Sequence, residues 1–312
     1  ANGRTGDILI LFKGKGSSIM PFLPVNREEM LSRGWERPDF VYVSGDAYVD
    51  HPSFGHAIIT RMLESRGYKV SMLAQPDWRN IKAFKEFGRP RLGFLVSSGN
   101  IDSMVNAYTA AKRPRSRDVY SPGGKTGLRP NRADIVYTNC IRQAYKNIPV
   151  ILGGVEASLR RLAHYDYWED RVRASILVDS GADLLLFGMG ERSIIELADA
   201  LEAGIPIKDI TYINGSAYIA ENLENVYDYE IIESFEEVRD NKRAYAQAFM
   251  KQYAQQSPQG KRLVQKHGKI YAVCNPPQEA LSREEMDQTY SLPYERDYHP
   301  MYKSMGGVPA IE

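Results

Sequence analysis

Two stretches of this sequence carry more reactive side chains than a turn requires. The first is GDAYVDHPSFG, residues 45–55, which sets the carboxylates of Asp46 and Asp50 beside the imidazole of His51 and two aromatic rings. A carboxylate next to an imidazole can move protons in acid–base work, and an imidazole can ligate a metal. The same residues have a structural use, with Asp50 capping the helix that follows and His51 bonding locally. Both readings stand from the residues alone. The second stretch is GGVEASLRRLAHYDYWEDRVR, residues 153–173. Gly153 and Gly154 let another group approach the backbone closely. Glu156, Arg160, His164 and Asp166 follow. If 155–164 is helical, Glu156 and Arg160 lie one turn apart and can pair; on a buried face the set becomes an ion network instead. Glu191, placed after Gly188-Met189-Gly190, completes a candidate rim for a substrate or ligand. No residue is assigned a catalytic role, and no metal-ligand set is visible.

Two glycine patterns imitate phosphate-binding loops. Gly123-Gly124-Lys125-Thr126 has Val119 where a P-loop needs its first glycine, and no strand precedes it. Gly188-Met189-Gly190 has Ser193 where a dinucleotide fingerprint needs its third glycine. Residues 112–132 carry seven basic groups and one acid. They can hold phosphates or RNA, or simply form a solvated loop; the segment itself brings no helix and no aromatic platform on which bases stack.

These candidates need a scaffold, and the apolar pattern supplies one. DFVYVS (39–44) reads as a buried strand, and GHAIITRMLESR (55–66) has helical spacing at Ile58, Ile59, Met62 and Leu63. A strand at 68–73 closes a unit of βαβ size. Strands at 91–97, 149–152 and 182–187 alternate with helices at 78–87, 101–112, 132–145 and 191–202. Strand–helix alternation predicts an α/β fold with a doubly wound, mainly parallel sheet. Ligands of such sheets sit at the carboxyl ends of the strands. The loops that begin at Ser44, Ser97, Gly153 and Gly188 should therefore share one rim.

Past residue 206 the pattern changes. Residues 221–240 hold eight acids and one Arg, 241–256 read as a polar helix, and 257–312 are rich in Pro and Tyr with little periodicity. The expected organisation is a leader at 1–21, an α/β domain at 22–206, an acidic segment and helical connector at 207–256, and an extended linker at 257–312. A net charge of +1 gives no global field toward nucleic acid or a membrane surface. No apolar run reaches the ~18 residues of a membrane helix. The two cysteines, Cys140 and Cys274, are far apart and read as reduced thiols, which predicts a cytoplasmic protein.

Several blocks resemble one family. GDAYVDHPSFG (45–55), GRPRLGFLVSSGNIDSMVNAYTA (88–110), the stretch from GGVEASLRR to LLLFGMGE (153–191) and LPYERDYHPMY (292–302) are similar to the amino-terminal region of radical S-adenosylmethionine (SAM) proteins of the YgiQ type. The resemblance runs from about residue 22 to 312. It implies that this region precedes a radical SAM barrel carrying C-x3-C-x2-C, which holds a four-iron–four-sulfur cluster and SAM. It further implies an accessory role, with the downstream barrel as partner, an unknown substrate and no cluster bound by this portion alone. Residues 22–206 also resemble the cobalamin-binding (flavodoxin-like) domains attached to other radical SAM enzymes. Those domains carry D-x-H-x-x-G, whereas Asp50 and His51 are adjacent here and His51 precedes Gly55 by four positions. The alternatives are a stand-alone corrinoid or nucleotide-binding module, or an RNA-contacting domain built on the 112–132 loop.

Overall fold

A computed structural model describes residues 22–311; the leader expected at 1–21 lies outside them. Strand β1 (Phe40–Ser44) is buried along its whole length, and side chains alternate across it: Phe40 and Tyr42 enter one apolar cluster, Val41 and Val43 the other. That is the burial expected of a central strand covered on both faces. Helix α1 (Gly55–Ser65) follows, then β2 (Val70–Ala74) and β3 (Gly93–Ser97). Helix α2 (Ala133–Ala144) leads to β4 (Val150–Leu152), short helix α3 (Gly154–Leu159), β5 (Leu184–Leu186) and helix α4 (Glu191–Glu202). These five strands are parallel neighbours in the order β2-β1-β3-β4-β5. This is the flavodoxin-like order, whose chain reversal falls between β1 and β3. Helices α1 and α4 cover one face and α2 the other.

The sheet does not stop at residue 206. Strand β6 (Ser216–Ala220) runs antiparallel to β5. Beyond it come β7 (Tyr229–Ile232), helix α5 (Lys242–Ala254), β8 (Arg262–His267) and β9 (Ile270–Cys274). The sheet continues β5-β6-β9-β8-β7, giving nine strands among the described residues. These strands occupy stretches where the sequence pattern predicts a connector and a linker. YEII and RLVQKH mix charged and apolar residues, so β7 and β8 give no strand signal of their own. A strand outside the fully covered parallel core has no need of an unbroken apolar run. A two-residue turn at Gly268, with φ of +61°, joins β8 to β9.

Two expected helices are much shorter. Within 78–87 there is only a 3-10 turn, Ile81–Lys85, and within 101–112 only Ser103–Ala107, which Asp102 caps and the extended Tyr108 ends. Segments this short cannot repay helix nucleation by themselves. Residues 155–164 are likewise helical only to Leu159, and His164–Asp166 then pairs with Arg171–Arg173 as a hairpin.

The carboxyl-terminal segment returns to the first loop. Asp297–Tyr298 pairs antiparallel with Val49–Asp50. Tyr48 N–H donates to the Tyr302 hydroxyl at 3.1 Å, and the rings of Phe22, Tyr48 and His299 pack together. Gly123, at φ +58°, donates its N–H to the Gly307 carbonyl, and a Cβ there would lie 2.5 Å from the Met305 carbonyl oxygen. The Gly-Gly-Lys-Thr sequence thus seats backbone, not phosphate. No described helix is long and apolar enough to cross a membrane.

Candidate functional site

A cavity of about 350 Å³ opens at the carboxyl ends of β3, β4 and β5. Its floor is apolar, from Leu95, Ile151, Leu186 and Ile194, while Gly55, Gly99, Gly153, Gly154, Gly188 and Gly190 form much of its wall. Backbone replaces side chains there, and the space follows from that. Gly154 has φ of +83°, and a Cβ on it would stand 2.5 Å from the Ser97 hydroxyl, so only glycine lets α3 start this close to β3.

Glu191 is the main polar group of this wall. It is the first residue of α4, 7% exposed, and its Oε2 is buried without a hydrogen-bond partner. The helix N-terminus supplies a favourable field for a carboxylate. The residue lines the cavity, while Oε2 itself is closed off from solvent. Tyr42 and His56 also border the space. Burial drives the Tyr42 phenol upward and holds the His56 imidazole down at about 4. His56 is neutral near pH 7 and is bonded through Nε2 to the Val49 carbonyl at 2.9 Å.

The 45–55 loop lies beside the cavity, but its charged groups turn elsewhere. Asp50 is fully buried against Arg61, whose Nε donates to both carboxylate oxygens at 3.1 Å. Asp50 also accepts the Glu295 N–H at 3.0 Å, which fastens the returning tail. Asp46 pairs with Arg129 at 2.6 Å and accepts the Asn100 N–H at 2.7 Å. Burial pushes the Asp46 carboxyl up to about 6 despite that pair. His51 accepts the Ser53 N–H on Nδ1 at 3.0 Å.

Under the 153–160 turn lies a second set of buried groups. Glu156 is fully buried and accepts the N–H of Ser103 at 2.8 Å and of Asp134 at 3.3 Å. Burial, then the neighbouring Asp102, push its carboxyl upward. Arg160 does not pair with the Glu156 carboxylate; it bonds Asp102 and the Glu156 carbonyl. The expected one-turn pair fails because the helix ends at Leu159. Asp134 is not among the residues that the sequence singles out. It is fully buried against the Ser98 backbone, and burial followed by Glu156 raises it well above the carboxylate range. An acid among Ala133, Tyr137 and Ile141 on the buried side of a helix is the signal that could have found it.

Of the candidate rim, Gly153, Gly154 and Glu191 line the cavity. Arg160, His164 and Asp166 border a separate groove of about 480 Å³ with Tyr108, Tyr165, Tyr167 and Trp168. Asp46, Asp50, His51 and Glu156 line neither.

A cubane iron–sulfur cluster does not fit the donors present. Such a cluster is held by three or four thiolates in most proteins. The chain has Cys140 and Cys274, both buried and both pushed upward by burial, with the Cys140 thiol facing the Trp78 carbonyl. Among the described residues no group of three or more His, Cys, Asp or Glu side chains is arranged for a metal.

Strand order and cavity position define the class: a doubly wound α/β module with a ligand-sized cavity at its carboxyl edge. The family model described as Radical SAM N-terminal matches residues 22–312, and the chain belongs to that family. It is 56% identical over 296 residues to a UPF0313 protein of Clostridium botulinum (strain Loch Maree / Type A3), covering 95% of this chain and 46% of the relative. It is 55% identical over 293 residues to a UPF0313 protein of Clostridium perfringens (strain 13 / Type A), covering 93% and 44%. The chain thus spans about half the length of the curated relatives it matches. No solved structure matches.

Proposed function

We propose that this chain is the amino-terminal accessory region of a radical SAM enzyme of the four-iron–four-sulfur type, and that the glycine-walled cavity holds part of the substrate or of a nucleotide-like ligand. The family match and the relatives' greater length support the first half. The observation that carries the second is the cavity's place at the sheet's carboxyl edge, with an apolar floor, a glycine wall and Glu191, Tyr42, His56, Ser97 and Asn100 on its lining. A carboxylate and other polar side chains on the lining of an enclosed space favour an occupant that hydrogen-bonds them. The complementary ligand has an apolar or ring-shaped body and N–H or O–H groups that meet these polar side chains. The cluster and SAM belong to residues outside this chain, so the fragment alone is not competent for radical chemistry.

The last described residues lie at the same end of the sheet as the cavity: Ala310 N–H donates to the Val119 carbonyl, and the adjoining Tyr120 ring packs on Phe54, next to the cavity's Gly55. A barrel that follows in the longer protein would begin on this side of the sheet.

The test uses the full-length protein, reconstituted anaerobically. The expected result is iron–sulfur absorption and reductive cleavage of SAM to 5′-deoxyadenosine; absence of both rejects the radical SAM reading. Gly153 has extended backbone and room for a side chain, its nearest neighbour to a Cβ being 3.9 Å away. Gly153→Leu should therefore fill the cavity without strain. It should keep the cluster and lose substrate-dependent turnover.

The flavodoxin-like strand order supports a second reading, a corrinoid-binding module. His51 lies outside the cavity lining and His56 is tied to Val49, so a corrinoid would bind without a histidine on cobalt. Titration with hydroxocobalamin decides it: an unchanged visible spectrum and no retention on desalting reject the corrinoid.

A further inference from the structure

The groove beside the cavity carries a recognition surface of its own. The hairpin His164–Asp166 / Arg171–Arg173 projects Tyr165 and Tyr167, which are 47% and 49% exposed. Trp168 sits between Tyr108 and Tyr167 with both ring centroids 5.3 Å from its own. The basic loop arrives against this aromatic group. Lys112 Nζ stands 4.9 Å from the Tyr167 ring centroid and donates to the Trp168 carbonyl at 3.3 Å, while Arg115 Nε donates to the Tyr108 carbonyl at 3.1 Å. The fold thus provides what residues 112–132 lack by themselves, a platform of rings next to the cations.

The charge is uncompensated. Lys112, Arg113, Arg115, Arg117 and Lys125 are exposed, and none forms an ion pair with a carboxylate among the described residues. The nearby acids are taken: Asp166 pairs with Arg132, and Glu169 with Arg132 and Arg173, each at 2.8–2.9 Å. Asp170 alone on the hairpin turn keeps an open carboxylate, shared with the Tyr165 hydroxyl. Exposed rings beside unpaired cations are the arrangement that binds single-stranded nucleic acid, rings stacking bases and cations tracking phosphates.

An acceptor stands at the groove's edge. The exposed Asp170 carboxylate, which the groove's Tyr165 hydroxyl touches, is an acceptor suited to a ribose 2′-hydroxyl, the group that separates RNA from DNA.

We infer that the groove formed by Tyr108, Tyr165, Tyr167 and Trp168, with the 112–125 loop at its edge, binds single-stranded RNA. The site is separate from the Glu191 cavity and its test does not depend on the cavity's ligand.

The experiment is fluorescence anisotropy of the chain with a labelled single-stranded RNA of about 12 nucleotides, the DNA of the same sequence and the RNA duplex. Binding should be saturable at low salt, tighter for single-stranded RNA than for either competitor, and should fall with added salt. Lys112→Gln with Arg113→Gln changes two exposed side chains. It should lower the slope of log K against log salt by about 1.4, at ~0.7 for each phosphate no longer neutralised. Trp168→Ala should weaken binding roughly 5- to 100-fold, the range for one stacked base, and Trp168→Phe should recover most of it. No saturable binding at low salt overturns the inference. So does unchanged affinity in both variants with the circular dichroism spectrum retained, or DNA bound as tightly as RNA. A preference for acidic peptide over RNA would mark a protein-docking face and overturn it too.

Discussion

The loop after β1 and the loops after β4 and β5 differ in a way that inverts a first impression drawn from residue types. Residues 45–55 carry Asp46, Asp50 and His51, yet each is engaged inside the protein: Asp46 by Arg129, Asp50 by Arg61, His51 by its own turn. The loops at 153–155 and 188–191 hold mostly glycine, and the cavity is there. Chemically rich residues close to their own backbone find partners at home. Glycines leave a wall without side chains, so space remains and a lone carboxylate such as Glu191 stays unsatisfied. Density of functional groups located the scaffold's fastenings; their scarcity located the opening.

Four substitutions sharpen or break this contrast. The largest effect should come from Arg61→Ala, which strands the buried Asp50 carboxylate. It should destabilise the chain by about 3–5 kcal/mol in urea unfolding; a loss near zero would mean that Asp50 is not a fastening. Gly154→Ala comes next. Its positive φ and the 2.5 Å approach to the Ser97 hydroxyl should cost about 1–3 kcal/mol, read as a lowered thermal midpoint. If the midpoint holds, the wall tolerates side chains and the contrast weakens.

Asp46 gives a pH signature. Its folded value of about 6 stands above the ordinary 3.8, so between these values the folded chain holds more protons than the unfolded one. Its contribution to stability is then lost as pH rises from about 4 to 6, with a slope of up to about 1.4 kcal/mol per pH unit. Asp46→Asn should remove that slope when unfolding midpoints at the two ends of the window are compared with the wild type. The smallest change in stability should follow Glu191→Gln, less than about 1 kcal/mol, because its Oε2 has no partner to lose. A loss as large as that of Arg61→Ala would make Glu191 structural and leave the cavity without its polar anchor.

The sequence alone determined the five parallel strands and the helices at Gly55–Ser65, Ala133–Ala144 and Glu191–Glu202, since apolar period is local and survives without tertiary context, though it overreached at 78–87 and 101–112. It also marked Gly153, Gly154 and Glu191, because a glycine pair at a strand end and an acid at a helix start are local signals. Tertiary structure decided the rest. Strands β7 and β8 are polar enough to read as connectors until neighbours complete their hydrogen bonds. The motifs at 45–55 and 292–302 lie near opposite ends of the chain, yet they meet as a β-bridge and a ring cluster. The aromatic hairpin reaches the basic loop only through folding, and Asp134 departs from an ordinary carboxylate only once burial strips it of water. Pairing across the sheet and desolvation depend on residues far away in the chain, and no local pattern encodes either.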